Sequence, residues 1–118
     1  MKDLLWVAAG GAVGSVGRFL ISKWMTSSAF PWGTFVVNIT GCFIIGALWA
    51  VSLKNSMISG PVKLFLMTGL CGGFTTFSAF SIESISLLRD GKFFLFLVYS
   101  LGSLALGLIA TYTAIKLL

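Results

Sequence analysis

The stretch Gly69-Leu-Cys-Gly-Gly-Phe-Thr-Thr-Phe-Ser-Ala-Phe-Ser81 decides how this chain is interpreted. It holds three glycines, four hydroxyl residues and three phenylalanines in thirteen positions, inside an apolar run long enough to cross a bilayer. Glycines at mid-membrane weaken a helix, and freed carbonyls are tolerated in lipid only where protein buries them or a polar cavity meets them. The stretch therefore predicts a broken membrane helix beside a binding site or a pathway.

The composition of the whole chain indicates a membrane protein. Its 118 residues are 58% hydrophobic and 9% charged, whereas a soluble domain carries about 25% charged residues. The net charge of +5 comes from scattered single residues and not from the basic cluster that would follow a nucleic-acid backbone. We expect these charges to contact lipid headgroups, and we expect no nucleic-acid partner.

Charged residues and a turn around Pro31 divide the chain into four apolar spans, which cover residues 4–22, 33–53, 64–82 and 93–115. Each approaches or exceeds the roughly 20 residues needed to cross the hydrocarbon core. The loops between them are short, so residues 1–118 are expected to form one four-span transmembrane domain. The predicted fold is an all-α membrane protein whose third helix is broken at its centre, at Gly72 and Gly73.

Small residues inside the spans predict close packing. Gly10 and Gly14 form a GxxxG pair, which favours a retained helix with a packing face over a cleaved signal peptide. Cys42 and Cys71 both fall within apolar spans, where free cysteine behaves as a small buried residue. We therefore expect no structural disulfide.

Positive residues are almost evenly divided between the two sides of the membrane. The side that holds both termini carries Lys2, Lys54, Lys63 and Lys116, and the other side carries Lys23, Arg89 and Lys92, with Arg18 near it. The positive-inside rule needs an excess on one side to fix the orientation. Small numbers could produce the balance, but we favour a chain that inserts both ways and forms an antiparallel, dual-topology homodimer. A two-fold axis in the membrane plane would then bring the broken helix next to its own copy.

Two further spans carry polar residues that can be interpreted in two ways. An amide in lipid is costly unless it is paired, so Asn38 is either a helix-to-helix contact or a donor that lines a pore. In the fourth span Tyr99, Ser103, Gly107 and Thr111 recur every four residues. That face could serve close packing or form a track of hydrogen-bonding groups.

Phe77 and Phe80 share one face of the third span. They alternate with the hydroxyl residues Thr76, Ser78 and Ser81, which is unusual for a face that only contacts lipid or core. The edges of aromatic rings carry partial positive charge. Such edges beside an amide and hydroxyls could hold a small anion without a fixed charge, weakly enough for it to leave again.

The remaining candidates are charged or cation-binding. Arg18 is an interfacial anchor or gives a vestibule the positive potential that concentrates anions, and it could pair with Glu83. The carbonyls from Gly72 to Thr75 suggest a structural cation, because broken membrane helices coordinate cations through such groups. The chain has no histidine and no nucleophile beside a base, so we expect no enzyme.

Several segments together resemble the Fluc-type (CrcB) fluoride channels over essentially the whole chain. They are Gly14 to Arg18, Gly33-Thr34, Val37-Asn38, Gly41 and, above all, the run from Thr68 to Glu83. Members of that family are four-span, antiparallel dual-topology homodimers that export fluoride passively through two pores. The resemblance therefore implies fluoride as the ion, the bacterial plasma membrane as the location and a homodimer as the assembly.

The resemblance also implies roles for individual residues. Phe77 and Phe80 would be the pore phenylalanines, Asn38 the pore amide, and Tyr99 and Ser103 part of the hydroxyl track. The backbone oxygens of Gly72 and Thr75 would hold a central sodium ion, and Arg18 would lie near the aqueous vestibule. Two positions depart from the pattern, because Ala79 and Gly107 each stand where a hydroxyl residue is found in other members.

Two alternatives come from other functional classes. A small dual-topology, proton-coupled exporter of lipophilic cations needs a carboxylate deep in a span, and Glu83, at a span's edge, is the one candidate. A structural subunit without transport would not need a broken span. We therefore favour the channel.

Overall fold

A computed structural model describes residues 1–26, 29–55 and 58–118, so part of the predicted loop at 54–62 lies outside the described residues. The helices are α1 (Lys2–Trp24), α2 (Trp32–Lys54), α3 (Gly60–Lys63), a π-helix (Leu64–Cys71), α4 (Gly72–Phe74), α5 (Phe77–Arg89) and α6 (Phe93–Leu117). Within these ranges four helical stretches are long and apolar enough to cross a membrane, namely Lys2–Trp24, Trp32–Lys54, Gly60–Arg89 and Phe93–Leu117. The predicted all-α fold with four spans is confirmed.

The helices extend beyond the spans predicted from the charges. The first span takes in Lys2, Asp3 and Lys23 at its ends, because charged side chains at helix ends can reach the interface along their apolar stems. The link between α5 and α6 is a tight turn in which Gly91 has φ +77°, a conformation that favours glycine. This turn returns the chain through the membrane directly after the third span.

The third span is broken, but three residues later than the sequence suggested. Gly72 and Gly73 are helical within α4, and the backbone leaves the helix at Thr75 (ψ 155°) and Thr76 (φ −149°). The predicted break at Gly72 and Gly73 is therefore wrong in its position. Thr76 begins the next helix instead, because its hydroxyl accepts a hydrogen bond from the Ala79 N–H at 3.1 Å.

Glycines explain how the first half of the third span packs against α1. A Cβ at Gly10 or Gly14 would collide with backbone carbonyls of the π-helix. In return, a Cβ at Gly69 or Gly73 would come within 2.8 or 2.6 Å of carbonyls in α1. Two glycine pairs with four-residue spacing thus face each other, which confirms the predicted packing face at Gly10 and Gly14 and adds a second one.

The third span changes neighbours at its break. Residues 60–74 pack on α1, whereas α5 packs on α6, and α6 runs along α2. The contact of α2 with α6 is also close, because a Cβ at Gly46 would lie 2.6 Å from the Thr111 carbonyl. At one end of the bundle Lys54 donates to the carbonyl of Leu118, and the ring of Trp6 lies 6.4 Å from that of Phe65. Both termini are therefore on the same side, as expected for four spans.

Candidate functional site

Asn38 of α2 binds both backbone groups of Thr76 at the break. Its Oδ1 accepts the Thr76 N–H at 2.8 Å, and its Nδ2 donates to the Thr76 carbonyl at 3.1 Å. The Oδ1 thereby accepts the N–H that the interrupted helix leaves without a helical acceptor, and the Nδ2 adds a donor to the carbonyl that begins α5. Since the amide nitrogen carries two N–H groups, one donor remains beyond the contact with Thr76. Asn38 is therefore a helix-to-backbone contact that keeps the capacity to donate to a ligand.

Two backbone carbonyls at the break lose the N–H donors that a continuous helix would give them. A continuous helix would give the Thr76 N–H to the Gly72 carbonyl, but this N–H is donated to Asn38. It would likewise give the Ala79 N–H to the Thr75 carbonyl, but this N–H is donated to the Thr76 hydroxyl. The carbonyls of Gly72 and Thr75 are thus the two that these local exchanges release, and carbonyl oxygens are the ligands that hard cations prefer.

Arg18 and Glu83 have different partners and do not pair with each other. The Arg18 Nε donates to the Gly73 carbonyl at 3.1 Å, across the contact of α1 with α4. The Glu83 carboxylate accepts from the Tyr99 hydroxyl at 3.0 Å, between α5 and α6. The ion pair considered from the sequence is therefore replaced by two contacts that each join a half of the third span to its neighbouring helix.

A cavity of about 420 Å³ opens beside the break, among α2, the π-helix, the start of α5 and α6. Asn38, Thr76, Phe77, Phe80 and Ser103 all line it. Its remaining described lining residues are Gly41, Cys42, Ile45, Met67, Cys71, Gly72, Thr75 and Leu104, and none of the described residues that line the cavity carries a formal charge. The structure thus brings five of the predicted pore residues to one uncharged space.

Aromatic rings continue from the cavity towards one membrane face. The centroids of Phe77 and Phe80 are 5.7 Å apart, and Phe80 lies 5.2 Å from the Tyr99 ring. Tyr99 is fully buried and in turn meets the Phe30 ring edge-on at 5.4 Å. Phe77 stands at the outer end of the series and is 80% exposed. The chain by itself therefore covers the Phe80 side of the cavity more completely than the Phe77 side.

The four-residue repeat in α6 serves both of the purposes that the sequence left open. Thr111 donates to the Cys42 carbonyl at 2.9 Å, and a Cβ at Gly107 would lie 3.3 Å from the Cys42 sulfur, so these two positions pack α6 on α2. Tyr99 is committed to Glu83. The Ser103 hydroxyl is buried, has no hydrogen-bond partner among the described residues and belongs to a residue that lines the cavity. Ser103 is thus the position of this repeat at which a hydroxyl is free for a ligand.

The other candidates occupy the open side of α5. Ser78 and Ser81 are exposed, and the Ser78 hydroxyl lies 3.3 Å from that of Thr76. Cys42 and Cys71 are free thiols, and the Cys71 side chain is buried.

Sequence reasoning missed the π-helix, the second glycine pair and the contact of Arg18 with Gly73. A signal for the glycine pair was present, because Gly69 and Gly73 repeat the four-residue spacing of the first span.

Comparison with known proteins agrees with this geometry. The profile of the CrcB-like protein family (Camphor Resistance) matches residues 5–115. A protein from Chlorobium phaeobacteroides named fluoride-specific ion channel FluC is 45% identical over 116 residues, which are 97% of this chain and 91% of that protein. Proteins of the same name from Rhizobium meliloti and Flavobacterium psychrophilum are 43% and 44% identical, and they cover 100% and 98% of this chain and 97% and 95% of their own length.

Proposed function

The chain belongs to the CrcB-like family, and from this premise we propose that it is a fluoride-selective anion channel. Fluoride would leave the cytoplasm passively, driven by its gradient and the membrane potential, which reduces fluoride toxicity. The chain is a multi-pass protein of the plasma membrane. The proposed activity is permeation and involves no catalysed reaction.

The observation that carries the proposal is the uncharged cavity beside the broken helix. Its lining includes the rings of Phe77 and Phe80, the Asn38 amide and the Ser103 hydroxyl. Ring edges, the second amide N–H and a hydroxyl can each offer partial positive charge to an anion. A fixed cation would hold a small anion too tightly for rapid passage, whereas conduction requires binding that is weak enough to allow exit. The three relatives described above, which are 43–45% identical to this chain, are named fluoride-specific ion channels, and their name supports fluoride as the anion.

We also propose an antiparallel homodimer as the working assembly. Ser78 and Ser81 expose hydroxyls at membrane depth, and Phe77 leaves one wall of the cavity incomplete. Polar groups at this depth require protein or water next to them. A second copy across a two-fold axis would cover this open side, and the even charge of the two membrane faces would permit both orientations.

A structural sodium ion fits the residues at the break. The carbonyls of Gly72 and Thr75 have given up their helical donors, and Gly72 is exposed with open space around it. Two copies would together offer four such oxygens. The ion would supply positive charge that satisfies these carbonyls and holds the two copies together.

Efflux from proteoliposomes tests the channel function. Purified protein is reconstituted with internal potassium fluoride, and efflux is started with valinomycin and followed with a fluoride electrode. We expect efflux far above that from protein-free liposomes, and slow chloride efflux in matched vesicles. Fluoride efflux no faster than from empty vesicles, or equal chloride efflux, would reject the channel. Uptake of a lipophilic cation that requires a pH gradient and disappears in Glu83→Gln would instead support the exporter.

A further inference from the structure

The contact of Arg18 with the backbone of the third span has a geometry that is not needed for an interfacial anchor. The donor is Nε, the nitrogen next to the aliphatic stem, and the acceptor is the Gly73 carbonyl at 3.1 Å. The contact joins residues 55 positions apart and is partly buried. The Arg18 Nε therefore donates to the protein backbone, close to the middle of the third span.

The face of α1 that carries Arg18 is the face that packs on α4. A Cβ at Gly73 would lie 2.6 Å from the Gly11 carbonyl and 3.1 Å from the Ser15 hydroxyl. Gly11, Ser15 and Arg18 follow the spacing i, i+4, i+7, so they lie on one side of the helix. This packing aligns Arg18 with Gly73 and leaves its Nε beside the carbonyl.

The Gly73 carbonyl requires a donor from outside its own helix. In an uninterrupted helix the Phe77 N–H would reach it, but the backbone turns away at Thr75 and Thr76 before that residue. At membrane depth a backbone carbonyl without a donor is costly. Arg18 supplies the donor on one side of the break, while Asn38 holds Thr76 on the other side.

We propose that Arg18 is a positioning residue of the pore, which acts by holding the Gly73 carbonyl through its Nε–H and not by drawing anions from solution with its charge. The inference rests on the proposed channel function. With the Gly73 carbonyl held by α1 and Thr76 held by α2, the short connection between them has a fixed course. The direction in which Phe77 and Phe80 enter the cavity follows from that course.

Two substitutions separate the hydrogen bond from the charge. Glutamine carries its Nε2 on Cδ, as arginine carries its Nε, so Arg18→Gln keeps a donor at the same distance from the backbone and removes the charge. Arg18→Met ends at the same distance from the backbone as glutamine and removes both the donor and the charge. Lys23→Met, at the exposed end of the same helix, is the matched control for the loss of one positive charge on that side.

Fluoride efflux is measured for the full-length wild type and the three variants at low and high ionic strength. We expect Arg18→Met to lower efflux by roughly ten- to a hundredfold, the factor that a hydrogen bond from a charged donor commonly contributes to an equilibrium. Arg18→Gln is expected to recover part of that loss, several-fold over Arg18→Met, at both ionic strengths, because a neutral donor forms a weaker hydrogen bond. Equal losses in the glutamine and methionine variants would overturn the proposal, and a wild-type rate that falls as salt rises would then assign Arg18 to electrostatic attraction. Wild-type rates in both variants would also overturn it.

Hydrogen–deuterium exchange in lipid nanodiscs gives a second readout that does not depend on transport. We expect faster exchange of the amides at 73–79 in Arg18→Met and slower exchange, closer to that of the wild type, in Arg18→Gln. Unchanged exchange in Arg18→Met would overturn the positioning role even if transport fell. If the wild type carries no fluoride at all, the proposed function fails, whereas the exchange data still decide whether Arg18 holds the break.

Discussion

The two halves of the third span have opposite relations to the rest of the chain. Residues 60–74 lie against α1 at backbone distance, through glycines on both sides of the contact. Helix α5 contacts mainly α6, and it leaves Phe77, Ile82 and Ile85 more than half exposed. One half is thus fixed by its own chain, while the other presents rings and hydroxyls to the cavity and to whatever covers its open face.

The difference indicates that the two halves of the third span have separate roles, packing in the first half and interaction with an anion in the second. Close glycine packing leaves little room for movement or ligand, because any added side chain would meet backbone. The loosely covered half carries the groups that can interact with an anion. We therefore expect substitutions in the first half to affect folding and substitutions at the start of the second half to affect transport.

The glycine contact should be the most sensitive feature of the molecule. Gly14→Val places a branched side chain against the Leu70 carbonyl, and since backbone cannot move aside easily, we expect a loss of roughly 3 kcal/mol or more in stability. Size-exclusion chromatography in detergent should show aggregation or no recoverable protein. Gly11→Ala is the control on the same helix, because its Cβ would lie 3.9 Å from the Gly69 carbonyl, an ordinary contact. A monodisperse Gly14→Val protein would contradict the view that close backbone packing fixes the first half of the third span.

The phenylalanines test the opposite half. We expect Phe80→Ile and Phe77→Ile to slow fluoride efflux by about tenfold or more, because an aliphatic side chain lacks the polarised ring edge. The elution volume in detergent should stay that of the wild type. Phe94→Ile, at an exposed position near the start of α6, removes a ring far along the chain from the break and should not slow efflux. Wild-type efflux in both pore variants would exclude the two rings from the mechanism.

Asn38 joins the two halves, and its replacement should affect both properties. Asn38→Ala removes two hydrogen bonds to Thr76, so we expect a loss of about 2 kcal/mol in the free energy of unfolding together with reduced efflux. Denaturant titration in detergent and the efflux assay measure the two effects. Ser52→Ala, which loses a local bond to the Trp49 carbonyl, is the control for stability. Lower stability with unchanged efflux would limit Asn38 to a structural role.

The smallest effects are expected within α6, where neighbouring positions of one face have different roles. Thr111→Val should cost about 0.6 kcal/mol, the typical value for a hydrogen bond between membrane helices, and leave efflux unchanged. Ser103→Ala should lower efflux and leave stability unchanged, because its hydroxyl has no hydrogen-bond partner in the part of the chain that the structure describes. The reverse pattern would mean that Thr111 serves the ion and Ser103 the packing.

The sequence was sufficient for the number of spans and for the first glycine pair. Apolar runs bounded by charges indicate directly which segments can cross a bilayer, and the spacing of Gly10 and Gly14 indicates that another helix packs closely on α1. The position of the break was not predictable in the same way. Glycine suggested it, but Asn38 from another helix and the Thr76 hydroxyl determine where the backbone leaves the helix.

The site was predictable as a set of residues and less so as a set of contacts. Asn38, Phe77, Phe80 and Ser103 do line one cavity. Which of the hydroxyls in α6 remain free depends on how deeply α6 packs on α2, and that depth follows from small residues in both helices. The sequence likewise suggested a pair of Arg18 and Glu83, because both lie near the same edge of the membrane. Helix packing instead places Arg18 beside the Gly73 carbonyl and Glu83 beside the Tyr99 hydroxyl.

The two side chains that hold the break precede it in the chain, which has a consequence for biosynthesis. Arg18 and Asn38 belong to the first two helices, so both are synthesised before residues 73–76 leave the ribosome, and membrane proteins are made from the amino terminus onwards. The interrupted helix, which is poorly suited to lipid by itself, enters the bilayer after its donors are already there. A rearranged gene that encoded the third span first would lose this order while keeping every contact of the finished protein.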